Sequence, residues 1–319
     1  MIAATFINSL TAILAKAIYM LHPHEISPIQ LMAIESVGCS LLNALIIGRD
    51  WKSILWDSIS KEQWPYLIGR TTCGVFSGVI MFVTVQFYPV SLVAAVNNCA
   101  PVVAFVGGLI FLRESYSKNT TVALVLTFLG ATLLVVGGGK SSMVPKDANF
   151  WIFLLMLSNP FCLAGTTLLY RKIRTLHYQT PTCYRQFLAV PILFGVLLYR
   201  DQSVIPLLQK LGLQSWLLLV GMCISQVYQS VLQFSAMKCH EASALQPYEF
   251  LRPVYSFFAD LLIFGSKFTS WQVIGVGTVF LAFVIQILNH YCSAEQVKSD
   301  EKKLLKETEM RSDTVLPEK

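Results

Sequence analysis

The sequence predicts an all-α integral membrane protein with ten transmembrane helices in two inverted five-helix repeats. Three observations predict it. Of 319 residues, 55% are hydrophobic and only 13% charged, where a soluble globular domain carries about 25% charged residues. Apolar stretches of the ~20 residues a helix needs to cross ~30 Å of hydrocarbon recur along almost the whole chain. The second half also repeats prolines, glycines and helix starts of the first half at a fixed offset.

The ten spans fall near 2–21, 28–48, 66–87, 89–112, 119–138, 150–170, 182–199, 212–238, 241–265 and 270–291. They group into a first repeat (1–138), a linker loop (139–149), a second repeat (150–291) and a charged, disordered tail (292–319). The first span has no basic segment ahead of it and no small-residue cleavage site after it, which predicts a retained helix rather than a signal peptide. Lys and Arg set the orientation. With the N-terminus in the cytosol, Arg49, Lys52, Lys61, Arg113, Lys118, Arg171, Lys172, Arg174 and Lys238 lie inside, against Lys140, Lys146, Arg200, Lys210 and Lys267 outside. Both termini are therefore predicted cytosolic.

Taken in order, helix one carries Lys16 near its outer end. Helix two opens with Ser27-Pro28, a hydroxyl N-cap followed by proline at the first helical position, and holds Glu35 about two turns in. Helix three has Arg70 within about a turn of its inner end and Gly74 and Gly78 in a G-x-x-x-G pattern, which favours close helix packing. Helix four has Asn97 and Asn98 ahead of Pro101. Helix seven opens with Thr180-Pro181 and carries Arg185 near its inner end; Arg70 and Arg185 are both long enough to reach the interface or to turn inward. Helix eight places Gln226, Gln229 and Gln233 on one face, with Tyr228 and Ser230 nearby. Helices five and ten carry no charge within their apolar runs, as expected of helices facing lipid or a second subunit.

The repeat appears when the second half is slid over the first. At an offset of 152, Gly69 meets Gly221, Ser91 meets Ser243 and Pro101 meets Pro253; at 153, Ser27-Pro28 meets Thr180-Pro181. Five helices per half is an odd number, so the second copy enters the membrane upside down. That arrangement places a site near the midplane where the halves meet and gives it two exchangeable accesses.

Helix nine contains QPYEFLRPVYSFFADLLIFG, with Glu249, Arg252 and Pro253 amid apolar residues. A charge at the bilayer centre costs about 2.5–3.5 kcal/mol on insertion scales. Glu249 and Arg252, three residues apart, can pair on one helix face. Pro101 and Pro253 each release the carbonyl four residues earlier, an irregularity tolerated at that depth only against protein or a water-filled cavity. The candidate binding residues are thus Glu249, Arg252, Asn97, Asn98, Gln226, Gln229, Gln233, Tyr228, Glu35 and Arg70, with Pro101 and Pro253 as helix kinks. A buried pair that only pins helix nine is the structural alternative. Asp260 lies far enough along the helix to reach the outer interface.

Several chemistries have no support. LLVVGGGKSS lacks the first glycine of a phosphate-binding loop, and HEISP and HEASA lack the second histidine of a zinc motif. The eight cysteines show no C-x-x-C spacing and imply no disulfide framework or zinc site. His22 and His24 have no third ligand. No catalytic residues, cofactor, metal or nucleic-acid partner is expected. Asn119-Thr120-Thr121 matches a glycosylation acceptor, but the predicted topology places it on the cytosolic side.

Arg70, Ser91, Pro101, FLRE ending in Glu114, and Gly130, together with LRPVYSFFADLLIFGSKFTSWQVIGVGTVFLAFVI, resemble the two copies of an EamA-type domain of the drug/metabolite transporter superfamily. The pattern resembles in particular the nucleotide-sugar-type solute carriers. The resemblance implies a central cavity walled by helices one to four and six to nine, and secondary transport by alternating access. Ser266 or Lys267 stands where the second copy usually has an acidic residue matching Glu114, and Glu35 stands in a region where relatives often carry arginine.

The expected function is therefore secondary active transport or exchange of a small polar metabolite, anionic or zwitterionic. Arg252 would attract an anionic group, and Glu249 would pair with it or take up a proton. The expected partners are that substrate, the lipid bilayer, a proton or counter-substrate, and a second copy of the chain. A nucleotide-sugar or organic-anion exchanger of an internal membrane, and a non-transporting receptor or scaffold on the same fold, remain as alternatives.

Overall fold

The computed structural model describes residues 2–23, 25–107, 118–138, 150–239, 249, 251–266, 268–285 and 287–288, with backbone only at 105, 118–120, 135, 136, 138 and 237–239. The 139–149 linker, the 292–319 tail, Glu114, His24 and the Asn119 side chain lie outside the described residues. Everything regular that is described is helical: α1 (Ile2–Leu21), α2 (Pro28–Ile47), α3 (Trp64–Phe87), α4 (Val90–Asn97), α5 (Ala100–Gly107) and α6 (Lys118–Gly138) in the first half. The second half contributes α7 (Phe150–Lys172), α8 (Thr180–Tyr199), a short α9 (Ile205–Lys210), α10 (Leu213–Cys239), α11 (Arg252–Leu262) and α12 (Ser270–Ile285). Among the described residues, six helices are long and apolar enough to cross a membrane: α1, α2, α3, α7, α8 and α10.

The starts and breaks follow local chemistry. Ser27 accepts the amide of Gln30, and the Gln30 side chain returns to the Ser27 amide, so a full capping box opens α2. Its expected counterpart, Thr180, does not cap: α8 begins at Thr180 itself, and the hydroxyl instead donates to the Ile54 carbonyl at 2.9 Å. The π-helical turn Ser53–Asp57 reaches under α8 and offers a better partner than the helix start. The fourth span is two helices, not one. Pro101 has no amide to return to Asn97, and the chain turns at Asn98 and Cys99 before α5 resumes. In the ninth, the described helix begins only at Arg252, with Pro253 buried in its first turn.

Packing exchanges the two halves. Helix α1 lies on α10 as α3 lies on α7, while α2 packs on α8 and α4 on α11. Helix α6 meets α12 through glycine: a Cβ on Gly130 would stand 2.8 Å from the Gly275 carbonyl oxygen, and one on Gly275 the same distance from that of Gly130. In a membrane, where apolar burial gives no drive for helices to associate, such close backbone approach supplies it. The outer faces carry exposed Leu41, Leu45, Leu198 and Leu262, the surface expected against acyl chains.

The bundle is packed unequally along its length. At the end shared by the C-termini of α1, α3 and α8, a large cluster forms around Ile18, Tyr19, Leu31, Phe82, Val85, Tyr88, Leu92, Leu193 and Met222. At the other end the described residues form only small clusters, around Leu67 and Phe234 and around Ile47 and Leu55. The polar cavity lies between them.

Two ionisable groups build the packed end, and Asp260 does so contrary to the expectation that it reaches the outer interface. Asp260 is 1% exposed and accepts the amides of Val90 at 3.3 Å and Ser91 at 2.7 Å, at the start of α4. The Lys16 ammonium donates to the carbonyls of Val85, Gln86 and Tyr88 at 2.9, 3.3 and 3.2 Å, at the end of α3. Each charge matches the sign of the helix terminus it meets. Water at the interface is one way to solvate such charges; unpaired helix ends at hand are another.

Candidate functional site

A cavity of about 250 Å³ occupies the middle of the bundle, walled by residues of α1–α5, α7, α8 and α10 and by Glu249 and Arg252. No residue of α6 or α12 lines it. Nearly all the expected binding residues converge there: Glu35, Arg70, Asn97, Asn98, Gln226, Gln229, Gln233, Glu249 and Arg252, with Pro101 in the wall. Pro253 is buried but does not line the cavity.

Tyr228 is the exception. Its side chain is 60% exposed and turned away from the cavity. At 3.6 residues per turn, Gln226, Gln229 and Gln233 share a face, while position 228 points about 200° away from 226. Nearness in sequence to a polar stripe was misleading there.

Polar groups in the cavity form two sets. In the first, Gln229 Nε2 donates to Gln233 Oε1 at 2.5 Å, and Gln233 Nε2 donates to Glu249 Oε1 at 3.3 Å. Glu249 pairs with Arg252 at 2.6 Å. With its carboxamide oxygen inward, Asn8 accepts from Nη2 and Nε of Arg252 at 2.5 and 3.2 Å. The run crosses from α10 through the start of α11 to α1, and Arg252 is neutralised within it.

The second set is built around two other arginines. Arg185 Nη2 lies 3.8 Å from Glu35 Oε1, which also accepts the Cys39 thiol at 3.2 Å. Glu35 is 1% exposed, and its Oε2 has no partner. Arg70 turns inward rather than toward the interface. Its guanidinium donates to the Pro181 carbonyl at 3.2 Å and stands 4.7 and 5.5 Å from the ring centroids of Phe234 and Tyr170. Those rings stack on one another at 4.9 Å. Cation–π contacts of a desolvated guanidinium are worth about 2 kcal/mol or more, and they hold Arg70 where snorkelling would otherwise take it. Among the described residues no carboxylate pairs with Arg70, and its Nε has no acceptor.

The lining thus holds three guanidiniums against two carboxylates, a formal charge of +1. Between the sets lie the asparagines. Asn159 Nδ2 donates to Asn97 Oδ1 at 2.8 Å, joining α7 to α4, while Asn98 Nδ2 and Asn159 Oδ1 are left open. Arg185, Asn159, Asn8 and Tyr170 belong to the site without having been counted among its candidates. Arg185 and Asn159 were legible as strongly polar residues in largely apolar helices; Asn8, near the chain start, gave no signal apart from its side-chain chemistry.

A polar cavity walled by both halves of a multi-pass helical bundle is the architecture of a membrane solute transporter. The chain belongs to the EamA-like transporter family, whose model matches residues 1–136 and again 150–288, in keeping with the drug/metabolite transporter superfamily. It is similar to YxxF, an uncharacterized transporter of Bacillus subtilis (strain 168), with 24% identity over 258 residues and 78% of each chain covered. A crystal structure of a protein 14% identical superposes with a TM-score of 0.67, covering 90% of this chain and 97% of the other. That likeness is one of fold.

Proposed function

We propose that the chain is a secondary active transporter of a small organic anion or zwitterion, working by alternating access between two inverted five-helix repeats. The observation that carries this reading is Arg70, a buried guanidinium on the cavity wall without a carboxylate partner among the described residues. Taking an ion out of water costs several kcal/mol unless it is paired. A substrate anion supplies the missing partner. Arg185 stands beside the same space, its own charge shared with Glu35, and the asparagines and glutamines provide hydrogen bonds.

In this reading Arg252 is not the first contact for an anion, because Glu249 and Asn8 already engage it. Glu249 becomes the group that releases Arg252 when it takes up a proton, coupling that pair to transport. The cavity favours a small metabolite: about 250 Å³ is below the range of roughly 300–1,000 Å³ typical of pockets for drug-sized ligands. With both termini in the cytosol, the packed end faces away from the cytosol, which supports a state closed on that outer side.

The test is uptake into proteoliposomes of radiolabelled small carboxylates, amino acids and nucleotide sugars, with and without a pH gradient and with each unlabelled compound inside. Uptake of a small anion or zwitterion that is reduced in Arg70→Leu supports the reading. Uptake confined to nucleotide sugars, or insensitive to Arg70, overturns it.

A further inference from the structure

We infer that a second cavity, between α2 and α8, is a binding site for a membrane amphiphile whose polar end is a single free hydroxyl. This cavity has a volume of about 290 Å³ and shares no lining residue with the central one. It is walled by Asn43 and Ile47 of α2, Leu55 of the π-helical turn, and Cys183 and Gln186 of α8. Trp51 and Phe187, 61% and 54% exposed, stand at its rim.

Its walls are apolar except for Ser40, whose hydroxyl donates to the Ser36 carbonyl at 2.8 Å, and two carboxamides that are short of partners. Gln186 is 1% exposed, and neither Nε2 nor Oε1 has a hydrogen-bond partner. Asn43 is 2% exposed; its Nδ2 donates to the Cys39 carbonyl at 2.8 Å, but its Oδ1 has none. Stranding such groups is costly, more so beside hydrocarbon, where no bulk water reaches them. What they ask of a ligand is specific: one acceptor for the Gln186 amide and a donor for one of the two carboxamide oxygens. A hydroxyl is both. A carboxylate or phosphate has no proton to donate, an ammonium has no lone pair, and no cation lines the cavity to hold an anionic headgroup.

Depth agrees with this chemistry. Asn43 lies four residues before the end of α2 and Gln186 six residues into α8, about 6 and 9 Å along their axes. Exposed Trp51 and Trp56 sit just beyond the same end, where tryptophans gather at the membrane interface. A hydroxyl held by the two carboxamides is therefore one or two turns below the headgroups. The hydrocarbon body would lie along the lipid-facing surface that exposes Leu41 and Leu45. Sterols and diacylglycerols share this chemistry of one alcohol on an apolar body.

The full-length chain in phosphatidylcholine nanodiscs tests this with a diazirine sterol and a diazirine diacylglycerol, each beside its O-methyl ether, followed by peptide mapping. The alcohol of one class is expected to label peptides spanning 40–55 and 183–187, about tenfold more strongly than its ether, and the stronger class identifies the source. Ala44→Phe, which fills the groove from its lipid-facing wall, is expected to abolish the label, and Gln186→Leu to bring the alcohol-to-ether ratio to about one. The ratio in the unmodified chain does not depend on whether a variant folds. Equal labelling by alcohol and ether, label that survives Ala44→Phe in a folded protein, or no label at these peptides, as for a site that takes only water, overturns the inference.

Discussion

The carboxylate of Asp260 accepts the backbone amide of Ser91 at 2.7 Å, tying the second half of the chain to the first turn of α4. On the other side of the same corner Lys16 holds the last carbonyls of α3. The α3–α4 connection, Tyr88-Pro89, is thus clasped between an anion from α11 and a cation from α1. Asp260→Ala is expected to lower stability by about 0.5–2 kcal/mol, the worth of a helix cap, and Asp260→Asn by less because it keeps an acceptor. Thermal unfolding in detergent measures both. Lys16→Met combined with Asp260→Ala should cost less than the two alone added together, since both act on one corner; strict additivity would dissolve the clasp.

Arg70 gives the second prediction. Arg70→Leu is expected to abolish substrate uptake, and Arg70→Lys to raise KM roughly tenfold, because an ammonium keeps the charge but not the planar fork or the fit against Tyr170 and Phe234. Wild-type uptake kinetics in Arg70→Lys would show that charge alone is read there.

Glu249 is tested by pH. Glu249→Gln is expected to retain transport while flattening its dependence on an imposed pH gradient. A pH profile matching the unmodified protein removes Glu249 from any coupling role.

Where Gly130 meets Gly275 there is no room for a side chain. Gly130→Val is expected to destabilise by about 1–3 kcal/mol through overpacking, with the loss appearing in thermal unfolding before it appears in substrate affinity. Unchanged stability would mean that α6 and α12 are not held by this contact.

Tyr228→Ala is the contrast. The side chain faces outward, so stability should stay within about 0.5 kcal/mol and transport should not change, whereas Gln229→Leu, one residue along and facing the cavity, should impair it.

Composition and helical period made the multi-pass helical architecture legible, because hydrocarbon forces each span to be long, apolar and internally hydrogen-bonded. They also made most of the cavity's polar lining legible: an ion or carboxamide that cannot face lipid must face inward, so Glu35, Asn97, Gln229, Gln233, Glu249 and Arg252 could be named before any packing was known. Pro101 announced the break between α4 and α5 through its missing amide.

What the chain alone could not settle was which partner each polar group takes. Arg70 and Arg185 are alike on paper, two arginines near helix ends. Only tertiary packing gives Arg185 a carboxylate and Arg70 two aromatic faces, with no carboxylate beside it among the described residues. Asp260 and Lys16 had the reach for the interface, yet the folded bundle offers them helix termini instead. Tyr228 belonged to a polar neighbourhood in sequence and to the outer face in space. Sequence determines how much polarity must be hidden from the membrane; long-range packing decides which donors and acceptors meet, because those partners lie on helices distant along the chain.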